Sequence, residues 1–301
     1  MYSDNRSVKL VVTGASGFIG RRIVRLLRDK HKVELVPVTR QNIPNWQRVS
    51  DYSQASAGDV LIHLAENCDR GQVAGMGESY KEGIQSTLMA LLAKGYSRVI
   101  YASSAVLYSD NDKRPHLTSD KVVLTDNYSR IKHQSECAVL DTRGGVVVRL
   151  ANIYGRGMSE NNVMSAILRQ IPGVDPLQVM DASPIRDFLS ADDAADGIVA
   201  LALGRDQKGS ESGLYNLGTG IGTSIGTLAN MALEIAGESH RRVEAKSIAG
   251  KDSCLILDYN QTTLACGWKP RTTLAEGITD LLQIGKEEHH HEASHDSSIY
   301  R

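Results

Sequence analysis

Tyr128 and Lys132 stand four positions apart in the run Asp126-Asn-Tyr-Ser-Arg-Ile-Lys132. That spacing places both side chains on one face of a helix. A phenol titrating near about 10 is a poor base at neutral pH, but a neighbouring ammonium stabilises the phenolate and pulls that value down. So placed, the pair could take a proton from a hydroxyl or hand one to a ketone. A solvated Tyr/Lys pair on an exposed helix has the same spacing, so the motif alone leaves both readings open.

A second stretch supplies context: Leu10-Val-Val-Thr-Gly14-Ala-Ser-Gly17-Phe-Ile-Gly20. An apolar, β-branched run stops at Thr13, three glycines follow, and an amphipathic helix opens with Ile23, Val24, Leu26 and Leu27 as its apolar positions. Strand, glycine turn and helix are what a dinucleotide-binding turn requires: a tight bend, close backbone approach to a pyrophosphate, and amides and helix dipole facing the phosphates. The spacing is GxxGxxG rather than GxGxxG, so the reading leans on this context.

Other residues were weighed against plainer roles. Residues 33–39 read as the second strand, ending at Arg40. An acid there would bond a ribose 2′-hydroxyl, whereas an arginine accommodates a 2′-phosphate, so Arg40 favours NADP over NAD. Pro37 argues against a central position unless its missing N–H is not needed. His63, inside Asp59-Val-Leu-Ile-His-Leu-Ala65, reads as a satisfied core histidine rather than a base. Leu64, Ala65 and Glu66 then fall at the carboxyl end of that strand, where ligands bind. Asp192 and Asp193, just after Ser190, read as helix-capping and dipole partners rather than metal ligands. The polar tail from Lys286, with His289, His290, His291 and His295, reads as a disordered, tag-like end, and no metal site is expected.

These residues need elements to carry them. Strand patterns at 8–12, 33–39, 59–65, 98–104 and 145–152 alternate with helical ones after Gly20, at 78–94 (Ile84, Leu88, Leu91 and Leu92 on one face) and from Asp126 to about Leu140. That alternation predicts an α/β fold, a Rossmann-type doubly wound parallel sheet. Beyond Tyr154 the pattern predicts helices near 161–171, from Ser190 to Leu203, and near 224–236 and 273–285. Strands are expected at 177–180, 185–189 and 214–217. We therefore expect a dinucleotide-binding domain over 1–152 and a smaller, mainly substrate-binding α/β region over 153–285, some of whose segments return to the first domain. A polar tail follows over 286–301. With 34 basic against 35 acidic residues and 5% aromatics, nothing suggests nucleic-acid binding. Four scattered cysteines, no apolar run of about 18 residues and no leader pattern indicate a soluble cytoplasmic chain without membrane partners.

Taken together, TGASGFIG (13–20), HLA (63–65), YASSAVLYS (101–109), YSRIK (128–132), RLANIYGRG (149–157), RDFLSADDAADGI (186–198), YNLGTG (215–220) and GWKP (267–270) reach a known pattern. In kind and order they resemble the extended short-chain dehydrogenase/reductases, specifically the NAD-dependent epimerase/dehydratase group acting on nucleotide sugars. The resemblance implies a catalytic set of Ser104, Tyr128 and Lys132. Ser104 is preferred to Ser103 because it matches the second serine of the family stretch. It implies cofactor contacts from Gly14, Ser16, Gly17, Phe18, Ile19, Gly20, Arg40, Asp51, Leu64, Ala65, Glu66, Ala102, Tyr128, Lys132 and Ala151. It also implies substrate contacts from Ser104, Asn152 and Arg186, the last suited to a diphosphate by its planar fork.

The implied activity is NAD- or NADP-dependent chemistry on a hexose ring of a nucleotide sugar, most simply at C4. An epimerase or an NADPH-dependent 4-ketoreductase would both fit. A non-catalytic NADP-binding sensor is a third reading, opposed by the presence of all three catalytic residue types. The resemblance also implies a homodimer through the helices near 78–94 and 128–142. Some positions depart from the family. Ala105 and Val106 stand where sugar 4,6-dehydratases carry an acidic pair, which argues against dehydration. Gly83 replaces an asparagine, Tyr108-Ser109 replaces Tyr-Gly, and no second phosphate-binding arginine is evident near 248–251.

Overall fold

The computed structural model describes residues 7–67, 69–204, 213–247 and 253–283. Cys68, the 248–251 span and the His-rich tail lie outside them. In chain order the first half contains β1 (Val8–Thr13), α1 (Gly20–Leu27), β2 (Val33–Thr39), β3 (Gln47–Arg48) and β4 (Val60–His63). It continues with α2 (Arg70–Ala74), α3 (Glu78–Leu92), β5 (Arg98–Ser104), α4 (Asn127–Leu140) and β6 (Gly145–Leu150). The second half holds β7 (Asn152–Tyr154), α5 (Val163–Leu168), β8 (Leu177–Val179), β9 (Ile185–Ser190), α6 (Ala191–Leu203) and β10 (Gly213–Leu217). β11 (Gly222–Ser224), α7 (Ile225–Ala236), β12 (Val243–Ala245), β13 (Cys254–Leu255) and α8 (Asn260–Cys266) follow, and residues 274–283 are helical.

Seven strands form one sheet in the order β10-β6-β5-β4-β1-β2-β3. Every adjacent pair is parallel. The chain builds outward from β1 through β2 to β3, then returns to β1's other side as β4. The sheet therefore has its switch point at the carboxyl ends of β1 and β4, the place where open α/β sheets hold ligands. Alternate side chains leave opposite faces. Leu10, Val12, Ile62, Ile100 and Val148 meet α1 and α6, while Val11, Leu61, Val99, Tyr101 and Val147 meet α3 and α4. Burial on both faces is why these strands read as continuous apolar runs.

Two local outcomes differ in detail from the pattern, and a third, at Pro37, agrees with it. The apolar run 145–152 is split. β6 ends at Leu150, Ala151 N donates to Leu217 O at 3.0 Å, and Asn152 already begins β7, paired with Phe188 of β9 in a second sheet. Apolar residues resume at Ile153 after the single polar Asn152, so periodicity could not show a change of sheet. The helix expected near 161–171 is trimmed to Val163–Leu168, with the Asn162 side chain accepting from Ser165 N at 2.9 Å. Pro37 lies opposite Val12 on one side, and β3 joins β2 only from Val38 onward. Its missing N–H thus falls beside a still-open edge. β10 brings residues 213–217 back to the sheet, while α5, α7 and the 274–283 helix share a separate apolar cluster around Met164, Ile167 and Leu228.

Candidate active site

The glycine turn is closed by contact. Gly14 adopts φ +72, and a Cβ there would sit 2.9 Å from the Leu64 carbonyl carbon; at Gly20 it would sit 2.2 Å from Gly14 O. No larger residue fits either position. Ser16 Oγ lies 2.8 Å from Thr39 Oγ1, and Ala15 N donates to Val38 O at 3.2 Å, tying the turn to the end of β2. Packed this tightly, the backbone of 14–20 forms a cradle with α1 pointing its positive end outward, which fits a dinucleotide pyrophosphate.

Arg40 and Arg48 meet at the carboxyl ends of β2 and β3. They line a cavity of about 420 Å³ with Val49, Ser50 and Gln54. Arg40 also lies 5.6 Å from the Tyr52 ring centroid. Asp51 caps the following turn, accepting from Ser53 N at 2.7 Å; the hydrogen bonds from Ser53 hold its carboxyl below the usual range. Arg48 has no signal in the sequence, because a two-residue strand has no period to read.

His63 is the core residue its surroundings predict. It is 2% exposed, its Nδ1 lies 2.7 Å from Thr13 Oγ1, and burial pulls its pKa down to about 4. It is neutral at physiological pH, and its ring stacks on Tyr101 with centroids 6.1 Å apart. Asp192 pairs with Arg22 and Arg25 of α1, and Asp193 accepts from Thr272 N at 2.8 Å, both within the first turn of α6. Among the described residues no His, Cys, Asp and Glu side chains group as a metal site.

α4 starts at a capping box: Asp126 Oδ1 accepts from Ser129 N at 2.8 Å, and Ser129 Oγ accepts from Asp126 N at 3.1 Å. Arg70 of α2 pairs with Asp126 and fixes the helix start against its neighbour. One turn in, Tyr128 and Lys132 are each 6% exposed. That excludes the solvated-pair reading. Tyr128 packs with Val73, Ile131, Tyr80 and Val106. Lys132 Nζ donates to Ala102 O at 2.9 Å and reaches Glu66 Oε2 at 2.8 Å, 4.9 Å from the Tyr101 ring centroid. Tyr101 Oη donates to the same Glu66 oxygen at 2.7 Å. Burial opposes a charge on Lys132, but Glu66, Tyr101 and Tyr128 outweigh it and keep Lys132 protonated well above the ordinary lysine range. Burial likewise favours a neutral Glu66, and Lys132 overrides it, holding Glu66 ionised.

The two serines of β5 part company at the end of the strand. Ser103 is buried and donates to Glu136 Oε1 at 2.6 Å. Ser104 is half-buried and caps the single turn 105–107, its oxygen accepting from Val106 N at 3.3 Å. Val106, one side of that turn, touches the Tyr128 cluster.

Asn152 and Arg186 line one further cavity, of about 840 Å³, with Asn162, Arg169, Gln178 and Lys246. Arg186 donates to Ser253 Oγ at 2.8 Å and to Ser253 O at 3.2 Å, and burial lowers its pKa. Arg169 caps the helix expected near 161–171 and Lys246 follows β12, and neither belongs to a motif that marks it as a site residue. Glu160 and Asp181 line the cavity as well, and Arg169 pairs with Glu160 at 3.4 Å, which leaves Arg186 and Lys246 as the cations able to meet a ligand's phosphates.

Residues 10–218 match the model of the NAD dependent epimerase/dehydratase family. The chain belongs to that family. The NAD dependent epimerase/dehydratase enzymes similar to it include a dTDP-glucose 4,6-dehydratase of an Actinoplanes species, 25% identical over 91% of this chain and 97% of the relative. A UDP-glucose 4-epimerase of Halalkalibacterium halodurans is 23% identical over 94% and 96%. Among solved structures, the UDP-glucose 4-epimerase of Thermotoga maritima with UDP-glucose superposes with TM-score 0.79 at 20% identity, covering 93% of this chain and 99% of that one. RMD of Pseudomonas aeruginosa, solved with NADPH, gives TM-score 0.77 at 22% identity, covering 92% and 98%. These likenesses bear out the Rossmann-type extended short-chain dehydrogenase/reductase fold. No helix of the described residues is long and apolar enough to cross a membrane.

Proposed function

We propose that this chain is an NAD(P)-dependent oxidoreductase of the epimerase type, acting at C4 of the hexose ring of a nucleotide sugar. One observation carries the reading: Tyr128 and Lys132 are buried together on α4, and Val106, in the turn that Ser104 caps, packs with Tyr128. A separate cavity, lined by Arg169, Arg186 and Lys246 and by Glu160 and Asp181, holds Asn152. Tyr128 is then the proton acceptor and donor for the sugar oxygen, Ser104 holds that oxygen by a hydrogen bond, and Lys132 supplies the neighbouring positive charge. A nicotinamide dinucleotide on the 14–20 cradle supplies the redox chemistry when bound. Gly14, Ser16, Gly17, Phe18, Ile19 and Gly20 would hold its pyrophosphate, and Arg40, Asp51, Leu64, Ala65, Ala102 and Ala151 its remaining length. Arg186 binds the diphosphate through its fork. Neither Ala105 nor Val106 can supply the acid of a dehydratase, although one relative carries that name.

A second reading, NADPH-dependent 4-ketoreduction, is favoured by one feature. Arg40 and Arg48 share a cavity lined by no acid, a setting for a 2′-phosphate. We read the assembly as a cytoplasmic homodimer through α3 and α4, α3 presenting Met89 at 55% exposure.

The test is a panel of nucleotide sugars. Interconversion of C4 epimers without net NAD(P) consumption supports the first reading, and NADPH oxidation by a 4-keto nucleotide sugar the second. No turnover of any of them overturns both. Arg186→Ala should raise KM about 30-fold with kcat nearly unchanged, the value of one charged hydrogen-bonding anchor.

A further inference from the structure

Glu66 stands just beyond β4 and meets Lys132 of α4 across β5. Its carboxylate is 5% exposed, yet its second oxygen, Oε1, has no hydrogen-bond partner. His63 Nε2 lies 3.8 Å from it, too long for a hydrogen bond. His63 is neutral at working pH, so it does not balance the carboxylate. A buried charge needs a counter-charge, and for Glu66 that is Lys132. The dependence runs both ways: the Ala102 carbonyl offers Lys132 a hydrogen bond but no charge.

We propose that Glu66 is a positioning residue for Lys132: its carboxylate fixes the ammonium against β5 and keeps it charged in its buried place on the face it shares with Tyr128. It acts through Lys132 and does not touch the sugar. The proposal rests on the roles given above to Lys132 and Tyr128, and its test uses neither sugar nor cofactor. The titratable groups around Lys132 are Glu66 and His63 from β4 and its end, Tyr101 from β5, Tyr80 from α3, and Tyr128 from α4 itself. The remaining acids flanking it on α4, Asp126 and Glu136, are already paired to Arg70 and Arg149. Removing Glu66's charge therefore takes away the largest influence that opposes burial, leaving only the tyrosines and the Ala102 carbonyl, and Lys132 gives up its proton at lower pH.

The experiment is competitive amine labelling of the whole, ligand-free protein with acetic anhydride across pH, read by mass spectrometry on the Lys132 peptide. The midpoint reports the proton and the plateau reports access. Wild-type Lys132 should resist labelling to beyond about pH 10. In Glu66→Gln the midpoint should fall by at least about one unit, a tenfold rise in neutral amine at fixed pH. Glu66→Asp, which restores the charge, should recover more than half of that shift. An unchanged midpoint in Glu66→Gln overturns the proposal, as does a higher plateau without a shift. Should Glu66→Gln not fold, Glu66→Gln/Lys132→Met decides: recovery of a cooperative melt supports the pairing, and a double variant that also fails to fold overturns it.

Discussion

Two buried acid–base pairs lie one turn apart on α4, and they are finished differently. Both Glu136 oxygens are occupied. Arg149 Nε reaches Oε1 at 2.9 Å and Nη2 reaches Oε2 at 2.6 Å, Ser103 donates to Oε1, and the guanidinium lies 4.6 Å from the Tyr108 ring centroid. A planar fork against a carboxylate is geometrically locked. The Glu66–Lys132 pair uses a flexible point charge instead, leaves one carboxylate oxygen unpartnered, and sits against Tyr128. The first pair pins α4 to β5 and β6. The second keeps capacity for chemistry at some expense to stability. Similar residue types, buried alike, differ in how the carboxylate is held: both Glu136 oxygens are filled, although Arg149 Nη1 has no hydrogen-bond partner, whereas Glu66 Oε1 is left open.

The largest expected effect breaks the locked pair. Arg149→Met leaves Glu136 buried and uncompensated, and should destabilise by about 3–5 kcal/mol in urea titrations. A cost under about 1 kcal/mol would remove the contrast. Next comes pH. His63 titrates near 4 in the fold against an ordinary 6.5. Its folded value is depressed, so the unfolded chain binds more protons between the two. Stability is complete above about 6.5 and is lost as pH falls toward 4, by about 3 kcal/mol if the full shift applies. The contribution of Glu66, whose folded value is also lowered, is lost only at more acidic pH, below the ordinary Glu range. Urea titrations from pH 7 to 4 should show the His63 slope in wild type and its absence in His63→Gln. The smallest effect sharpens the comparison. Glu66→Gln/Lys132→Met, which removes both charges of the open pair, should stay within about 1 kcal/mol of wild type while abolishing turnover. The corresponding Glu136→Gln/Arg149→Met should lose more, because the guanidinium over the Tyr108 ring is removed and Ser103 is left an amide oxygen in place of a carboxylate.

Much of this was legible beforehand. β2, β5 and α4 fall where pattern and capping residues place them, since hydrophobic period and an N-terminal Asp act within a few residues. The glycine turn was legible for the same reason. The division of the run 145–152 between two sheets was not, because strand pairing depends on which neighbour is nearer, not on composition. Nor was Arg48, which reaches the Arg40 cavity only because β3 pairs with Thr39.

The sequence by itself determined the alternation of strand and helix, the cradle at 14–20 and the shared helical face of Tyr128 and Lys132, all of them consequences of local spacing. Only the tertiary structure decided that Ser103 turns to Glu136 while Ser104 caps the next turn, that His63 is neutral, and that Glu66 holds Lys132. Those outcomes depend on burial and on contacts between residues distant in the chain, and both exist only once β4, β5 and α4 are packed together.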